Sequence, residues 1–428
     1  MTALRVGVAG LGTVGMGVLD LLDRNAGLIS ARAGRPFRVS AVSARDSTRA
    51  RGRDLSGLRW HDDPVALARD PDVDVVVEVI GGAEGAARAT VEAALTAKKP
   101  VVTANKALLA LHGAELAARA EQAGVALAYE AAVAGGIPVI KALREGLAGS
   151  RIDRVAGILN GTCNHILTVM RTQGRAFADV LAEAQALGYA EADPSTDVDG
   201  VDAAHKLAIL AALAFGRPVA FSEIYVEGIR AITAEDFAFA AALGYRIRLL
   251  GIARATDAGI EARVHPVLLP EDSDLARVDG VYNAVIAEGD VVGRIMLQGR
   301  GAGAGPTASA VVADLIDIAR GRHAPVWGAA SGSLSNAPSV PMDRHVGEYY
   351  LRLSVVDRPG VIADVTAILR DAGVSMASMI QRGRSADAVP VVIVTHETTE
   401  AAMRAALLRI GALDAVLQPP SMIRIEPA

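Results

Sequence analysis

An unbroken apolar run, LRVGVA at residues 4–9, passes straight into GLGTVG, and a helical pattern then continues to about Arg24. A strand that is apolar at every position is buried on both faces, as in a parallel sheet covered by helices. Gly10, Gly12 and Gly15 stand in G-x-G-x-x-G spacing. Such glycines allow a tight turn and let a pyrophosphate approach the backbone, where the helix N-terminus can hold it. The bland alternative is a tight strand-to-helix turn with no ligand. What favours a dinucleotide is the context, strand before and helix after, which the fingerprint requires. The candidate cofactor residues of this turn are Gly10, Leu11, Gly12, Thr13, Val14 and Gly15.

The alternation continues. FRVSAVS (37–43), DVDVVVEVIGG, KPVVTANK followed by a long helical stretch, and GVALAYEAAV complete a series that predicts a doubly wound α/β unit. In such folds an acid at the tip of the second strand binds the ribose of NAD, whereas an arginine accommodates the 2′-phosphate of NADP. The tip here reads SARDSTRAR, with Arg45 ahead of Asp46 and Arg49 and Arg51 close behind. NADP is therefore expected, with NAD as the second choice. Lys106 falls at a strand's carboxyl end, where ligands bind in open α/β sheets. Read blandly, it is an exposed first-turn lysine.

Beyond about Gly135 the pattern changes. Residues 240–300 hold four apolar strands separated by turn residues, predicting a mostly antiparallel sheet. A glycine-rich loop and a helix follow (GRGAGAGPTASAVVADLIDIA), then a Gly/Pro/Ser-rich stretch that reads as a linker. The last eighty or so residues run strand, helix, strand, strand, helix, strand, the split βαβ order of a separate unit.

Charge and composition narrow the function. A net charge of −5 offers no basic field for nucleic acid. No uncharged apolar run reaches the roughly 18 residues of a membrane span, and MTALRVGVAG enters a strand at once, unlike a signal peptide. With a single cysteine, Cys163, neither a disulfide framework nor a multi-thiolate zinc site is available. A cytoplasmic protein is expected. Lysine occurs only at 98, 99, 106, 141 and 206, so 38 of the 43 basic residues are arginine. Arginine does not release its proton in a protein, whereas a buried lysine can. Each lysine is thus a candidate proton carrier, although Lys98 and Lys99 in TAKKP read as plain surface residues.

One lysine stands out. In GYAEADPSTDVDGVDAAHKLAIL, Glu191, Asp193, Asp197, Asp199 and Asp202 precede Lys206. A calcium loop would need a spacing that residues 194–197 break, and an acidic run is most often a solvated loop. Yet Asp202 and Lys206 lie one helical turn apart, on a helix whose continuation is apolar. Carboxylates there suit an ammonium group, and the lysine suits a proton on an oxygen.

The motifs GLGTVG, EVIGG, VVTANKALLA, YEAAVAGGIPVI, LNGTCNHILT, GYAEADPSTDVDGVDAAHKLAIL, ALGYRIRLLGIA and GAGPTASAVVADL, in that order, resemble those of homoserine dehydrogenases with a C-terminal ACT domain, over essentially the whole chain. No aspartokinase-like segment precedes them, as in the monofunctional form. The resemblance implies reversible, NAD(P)-dependent interconversion of L-aspartate 4-semialdehyde and L-homoserine, in threonine and methionine biosynthesis. It implies a Rossmann-type dinucleotide-binding unit at 1–135 plus about 305–322. A substrate-binding and dimerisation unit would span 136–304, a linker 323–346, and a ferredoxin-like ACT unit 347–428. Lys206 matches the proton-transferring lysine and Lys106 a second one between nicotinamide and substrate. Glu191, Asp202, Asp197, Gly161 and Thr162 match the substrate pocket, and Gly81, Thr103, Gly188 and Gly303 positions near the cofactor. Carbonyls of Glu130, Val133, Gly135 and Ile137 match a loop that holds a monovalent cation, sodium or potassium.

In the tail, Asp357 and Gly360 match the turn at which ACT domains bind amino acids, which implies threonine as effector. A purely structural tail is the bland alternative. A homodimer or homotetramer is the default assembly. Two other readings are open. Cys163, in a turn that partly resembles the Cys-Thr-Thr-Asn of acylating aldehyde dehydrogenases, could be a nucleophile with His165 as base. Alternatively, the chain could be an amino-acid sensor without turnover.

Overall fold

The computed structural model describes residues 2–381 and 388–427. Six parallel strands make the first sheet, in the order Arg59–His61, Phe37–Ser43, Leu4–Ala9, Val75–Glu78, Val101–Thr103, Leu127–Ala128. The chain begins at the centre and winds outward in both directions, the doubly wound order that leaves a crevice beyond the strand ends. Val6, Val8, Val75, Val76, Val77, Val101 and Val102 are fully buried because helices cover both faces. One covering helix comes from far along the chain. Ala304–Ala319 brings Ala308, Val311 and Leu315 onto Val6, Val8 and Val18. It lies so close to Thr13–Arg24 that a Cβ on Gly17 would sit 2.7 Å from the Ala304 carbonyl oxygen.

The second sheet has eleven strands. Its main path is Gly293–Arg300, Tyr282–Gly289, Ile152–Ile158, Tyr245–Thr256, Gly259–Pro270, Ser421–Ile425, Val346–Val355, Val389–Thr395, Met376–Gln381. The four strands expected between 240 and 300 are all present, paired antiparallel in two hairpins. The tail has the expected βαββαβ order, with helices Val361–Asp371 and Glu400–Gly411. Ser421–Ile425 does something the sequence pattern did not disclose. It pairs antiparallel with Val346–Val355 on one edge and parallel with Gly259–Pro270 on the other, Val267 facing Arg424. Alternation identifies a strand but not its neighbours.

The Gly/Pro/Ser-rich stretch expected as a linker is tied down. Trp327 is buried, the Tyr129 hydroxyl donates to the Val326 carbonyl, and Val340 N donates to Ile260 O at 2.9 Å. Among the described residues, no helix is long and apolar enough to cross a membrane.

Candidate active site

The glycine turn shows which of its glycines serve the fold. Gly10 has φ +106°, and a Cβ there would lie 2.5 Å from the Val79 carbonyl oxygen. At Gly15 a Cβ would lie 1.9 Å from the Gly10 carbonyl oxygen, so neither position accepts a side chain. Gly12 is different, for a Cβ would meet nothing within 4 Å. No side chain caps the helix Thr13–Arg24 that starts there. Open space above a glycine and uncapped N–H groups are what an approaching phosphate requires. Beside the turn, Gly303 caps Ala304–Ala319 with φ +114°.

At the tip of Phe37–Ser43, the Asp46 carboxylate is turned onto Thr48, accepting from its N at 2.8 Å and its hydroxyl at 2.7 Å. Arg51 reaches the Leu11 carbonyl at 3.4 Å and stacks on Trp60. Arg45 is exposed, and no ion pair holds its guanidinium among the described residues.

Glu78, the last residue of Val75–Glu78, is wholly buried. Its carboxylate accepts from the Thr103 hydroxyl at 2.6 Å and Ile80 N at 2.8 Å. Burial outweighs these donors and holds its pKa above the usual carboxylate range. Thr103 therefore directs its side chain at Glu78. Asn105 continues the brace, its Nδ2 donating to the Gly82 carbonyl at 2.7 Å and its Oδ1 accepting from Leu108 N at 3.1 Å. The result fixes the Ile80–Gly81–Gly82 turn, with φ +87° and +80° at its glycines, and the start of Lys106–Ala123.

Lys106 opens that helix and points toward Val201–Phe215, where its Nζ lies 3.3 Å from Asp202 Oδ1. The other oxygen of Asp202 accepts from Lys206 Nζ at 2.6 Å. Lys206 Nζ also donates to the Leu159 carbonyl at 2.7 Å, leaving one of its three N–H groups. Asp202 and Lys206 are both at least nine-tenths buried. Burial alone would raise the Asp202 pKa, but Lys206 and Lys106 overcome it and hold the group far below the usual range. Asp197, on the one-turn helix Ser195–Val198, is shifted the other way by burial and by Asp202. Two neighbouring carboxylates are thus pushed apart in proton affinity.

Asn160 ties them together. It caps Gly161–Gln173 through Oδ1, which accepts from Cys163 N at 2.7 Å, and its Nδ2 donates to Asp197 Oδ1 at 2.7 Å and Asp202 Oδ2 at 2.8 Å. The same turn holds Gly161, where a Cβ would lie 2.8 Å from the Val281 carbonyl oxygen. Thr162 donates to the Tyr189 carbonyl at 2.9 Å.

The structure thus gathers Lys206, Lys106, Asp202, Asp197, Gly161 and Thr162 at one cleft. Glu191 and Gly188 lie on the exposed loop that leads into it. The Glu191 carbonyl accepts from Gln185 at 2.9 Å, while its carboxylate forms no ion pair among the described residues. Asn160 and Glu78 were missed at the sequence level. An Asn directly before a helix start, and an acid closing an apolar strand, were the available signals.

Cys163 is fully buried, and its Sγ donates to the Asp197 carbonyl at 3.2 Å. Burial, then the charges of Asp197 and Asp202, push the thiol well above its ordinary range, opposite to what a nucleophile needs. The His165 ring packs on Tyr189, 4.9 Å between centroids.

The remaining candidates lie elsewhere. Glu130, Val133, Gly135 and Ile137 line a buried loop in which Ala134 and Gly135 have φ +55° and +53°. The Glu130 carboxylate accepts from Ile140 N and Lys141 N, and burial with Asp314 raises it to about 7. Asp357 is exposed, and Gly360 caps Val361–Asp371 with φ +97°. No cluster of three or more His, Cys, Asp or Glu among the described residues could hold a metal.

Comparison with known proteins finds relatives along the whole chain. Residues 10–130 match the homoserine dehydrogenase NAD-binding domain, 138–316 match homoserine dehydrogenase, and 349–412 match the ACT domain. A homoserine dehydrogenase of Pseudomonas aeruginosa is 48% identical over 434 residues, covering 100% of this chain and 99% of its own. The crystal structure of a homoserine dehydrogenase from Thiobacillus denitrificans superposes with a TM-score of 0.94 at 49% identity, covering 100% of this chain and 99% of its own. A hyperthermophilic archaeal homoserine dehydrogenase in complex with NADPH superposes at 0.64 with 27% identity, covering 74% of this chain and 97% of its own. The chain belongs to the homoserine dehydrogenase family.

Proposed function

We propose that this family member interconverts L-homoserine and L-aspartate 4-semialdehyde with NADP, Lys206 moving the proton. The observation that carries the reading is the partnering of Lys206 Nζ, fixed by Asp202 and the Leu159 carbonyl with one N–H unengaged among the described residues. NADP, when bound, supplies the acceptor or donor of hydride. In the oxidative direction Lys206, as a free amine, takes the hydroxyl proton while the adjacent C–H leaves as hydride. In the reductive direction its ammonium returns a proton to the aldehyde oxygen. Positioned proton transfer of this kind contributes about 10²–10⁴-fold. Asp202 and Asp197, with Glu191 on the adjoining loop, provide the negative wall for the amino acid's ammonium, and Lys106 sits where the nicotinamide end meets the substrate.

NADP is favoured over NAD because Asp46 is engaged by Thr48 while Arg45 is free of ion pairs among the described residues. The archaeal relative's NADPH supports the same choice. The Glu130–Ile137 loop fits a monovalent cation of hard character. Its donors are backbone carbonyls, and that of Ile137 accepts one N–H from Val139 at 2.8 Å and keeps a second lone pair. Threonine is the effector we assign to the turn at Asp357 and Gly360, in a cytoplasmic homodimer or homotetramer. Initial rates with L-homoserine, run in parallel with NADP and NAD, test the reading. Turnover with NADP at the higher kcat/KM is expected, and a folded protein inactive with both refutes it.

A further inference from the structure

We infer that Asn160 is a positioning residue of this reaction, its amide holding Asp197 and Asp202 as one rigid pair and so aiming both the ammonium-binding wall and Lys206. The inference rests on the functional reading above and deepens it.

The amide is fixed at every polar atom. Oδ1 faces the backbone N–H of Cys163, a donor, and Nδ2 faces two carboxylate oxygens, both acceptors. Turning the amide over would set N–H against N–H and oxygen against two carboxylates, so only one orientation is compatible with its neighbours. A helix cap needs only the oxygen, and serine, threonine or aspartate supplies it equally well. The two Nδ2 donors are superfluous to capping. They go to the two acids of the cleft, which without them would face one another as like charges. Asp202 Oδ2 receives Asn160 and Lys206 together, so the amide also sets the direction of the Lys206 bond. Asp197 Oδ2 accepts no hydrogen bond among the described residues and is the oxygen left for a substrate ammonium. The charged and titratable groups around Asp197 are Asp202 and Lys206 on the following helix, Lys106 on Lys106–Ala123, and Cys163 on Gly161–Gln173.

Asn160→Ser separates capping from positioning, because it keeps a cap oxygen and replaces the two amide N–H donors with one hydroxyl, which cannot serve both carboxylates. In the full-length enzyme we expect melting temperature and NADP affinity to stay near wild type. The kcat/KM for homoserine should fall by about 10²-fold, as for a small misplacement of reacting groups. The acid limb of its pH profile should move to higher pH, since Asp197 loses a donor that favours its ionised form. Asn160→Asp, which keeps cap and shape but adds a third carboxylate, should fall at least as far. A kcat/KM within about 3-fold of wild type with an unmoved acid limb overturns the inference. So does a loss in which melting temperature and NADP binding decline in parallel in both variants. Absence of homoserine turnover in the wild-type control refutes the functional reading and takes this inference with it.

Discussion

The cleft around Lys206 and the seam around Arg424 are both buried clusters of cations and carboxylates, yet one is built on lysine and the other on arginine. In the seam, Arg424 binds Glu400 through Nε at 2.9 Å and through a second nitrogen at 2.5 Å, and Glu227 at 2.7 Å. Arg263 beside it holds Glu261 at 3.0 Å and also binds Glu426. A guanidinium keeps its proton and its fork engages several carboxylate oxygens at once, so the seam is closed and permanent. In the cleft, Lys206 keeps an N–H and Asp197 an oxygen without a partner among the described residues. A chain with 38 arginines and five lysines has set two of the five against Asp202, where we propose that proton and substrate meet. The rule is not general, for Lys141 makes plain ion pairs with Asp314 and Asp317.

Lys206→Arg tests this contrast most severely. It preserves charge and reach but not the exchangeable proton, so kcat for homoserine oxidation should drop by about 10²–10⁴-fold with NADP binding intact. Near-normal turnover would erase the distinction between the clusters. Arg424→Met is the counterpart in the seam. Stranding Glu400 and Glu227 should lower unfolding free energy by about 3–5 kcal/mol, read from urea denaturation of the full chain. Acid should reach the same place. Burial would raise Glu261, but His345, Arg254 and Arg263 hold it at about 2. Its stabilising contribution is complete above its unfolded value near 4.5 and is lost as pH falls toward 2. Arg45→Ala should narrow the preference for NADP over NAD by about 10-fold, the scale of one charge-assisted hydrogen bond. The smallest effect is expected at Cys163. Cys163→Ser retains a donor for the Asp197 carbonyl, and kcat should stay within about 3-fold. Its abolition would revive the acyl-enzyme reading.

What the sequence disclosed was local. LRVGVAGLGTVG announces strand, turn and helix because each signal lies within a few residues of the next, and the i, i+4 pair Asp202–Lys206 is likewise contiguous. What it concealed depends on direction and distance. Thr103 was matched to a position near the cofactor by the family resemblance, and its hydroxyl turns inward to Glu78. Glu191 and Asp197 are near in sequence, yet only Asp197 is drawn into the hydrogen-bonded cluster, since Asn160, 37 residues earlier, reaches it alone. The sharing of one sheet by the middle of the chain and its tail could not be read at all, because both partners of Ser421–Ile425 look like ordinary strands.

That shared strand bears on how the molecule is made. Translation delivers Gly259–Pro270 long before Ser421–Ile425, so on the ribosome its Val267–Leu268 end waits as an open edge, with Glu227 still lacking Arg424. Open edges pair with wrong partners, and late closure between distant segments is slow. A transcript cut short would therefore yield a protein exposed to aggregation and proteolysis, rather than a smaller enzyme with its tail neatly removed.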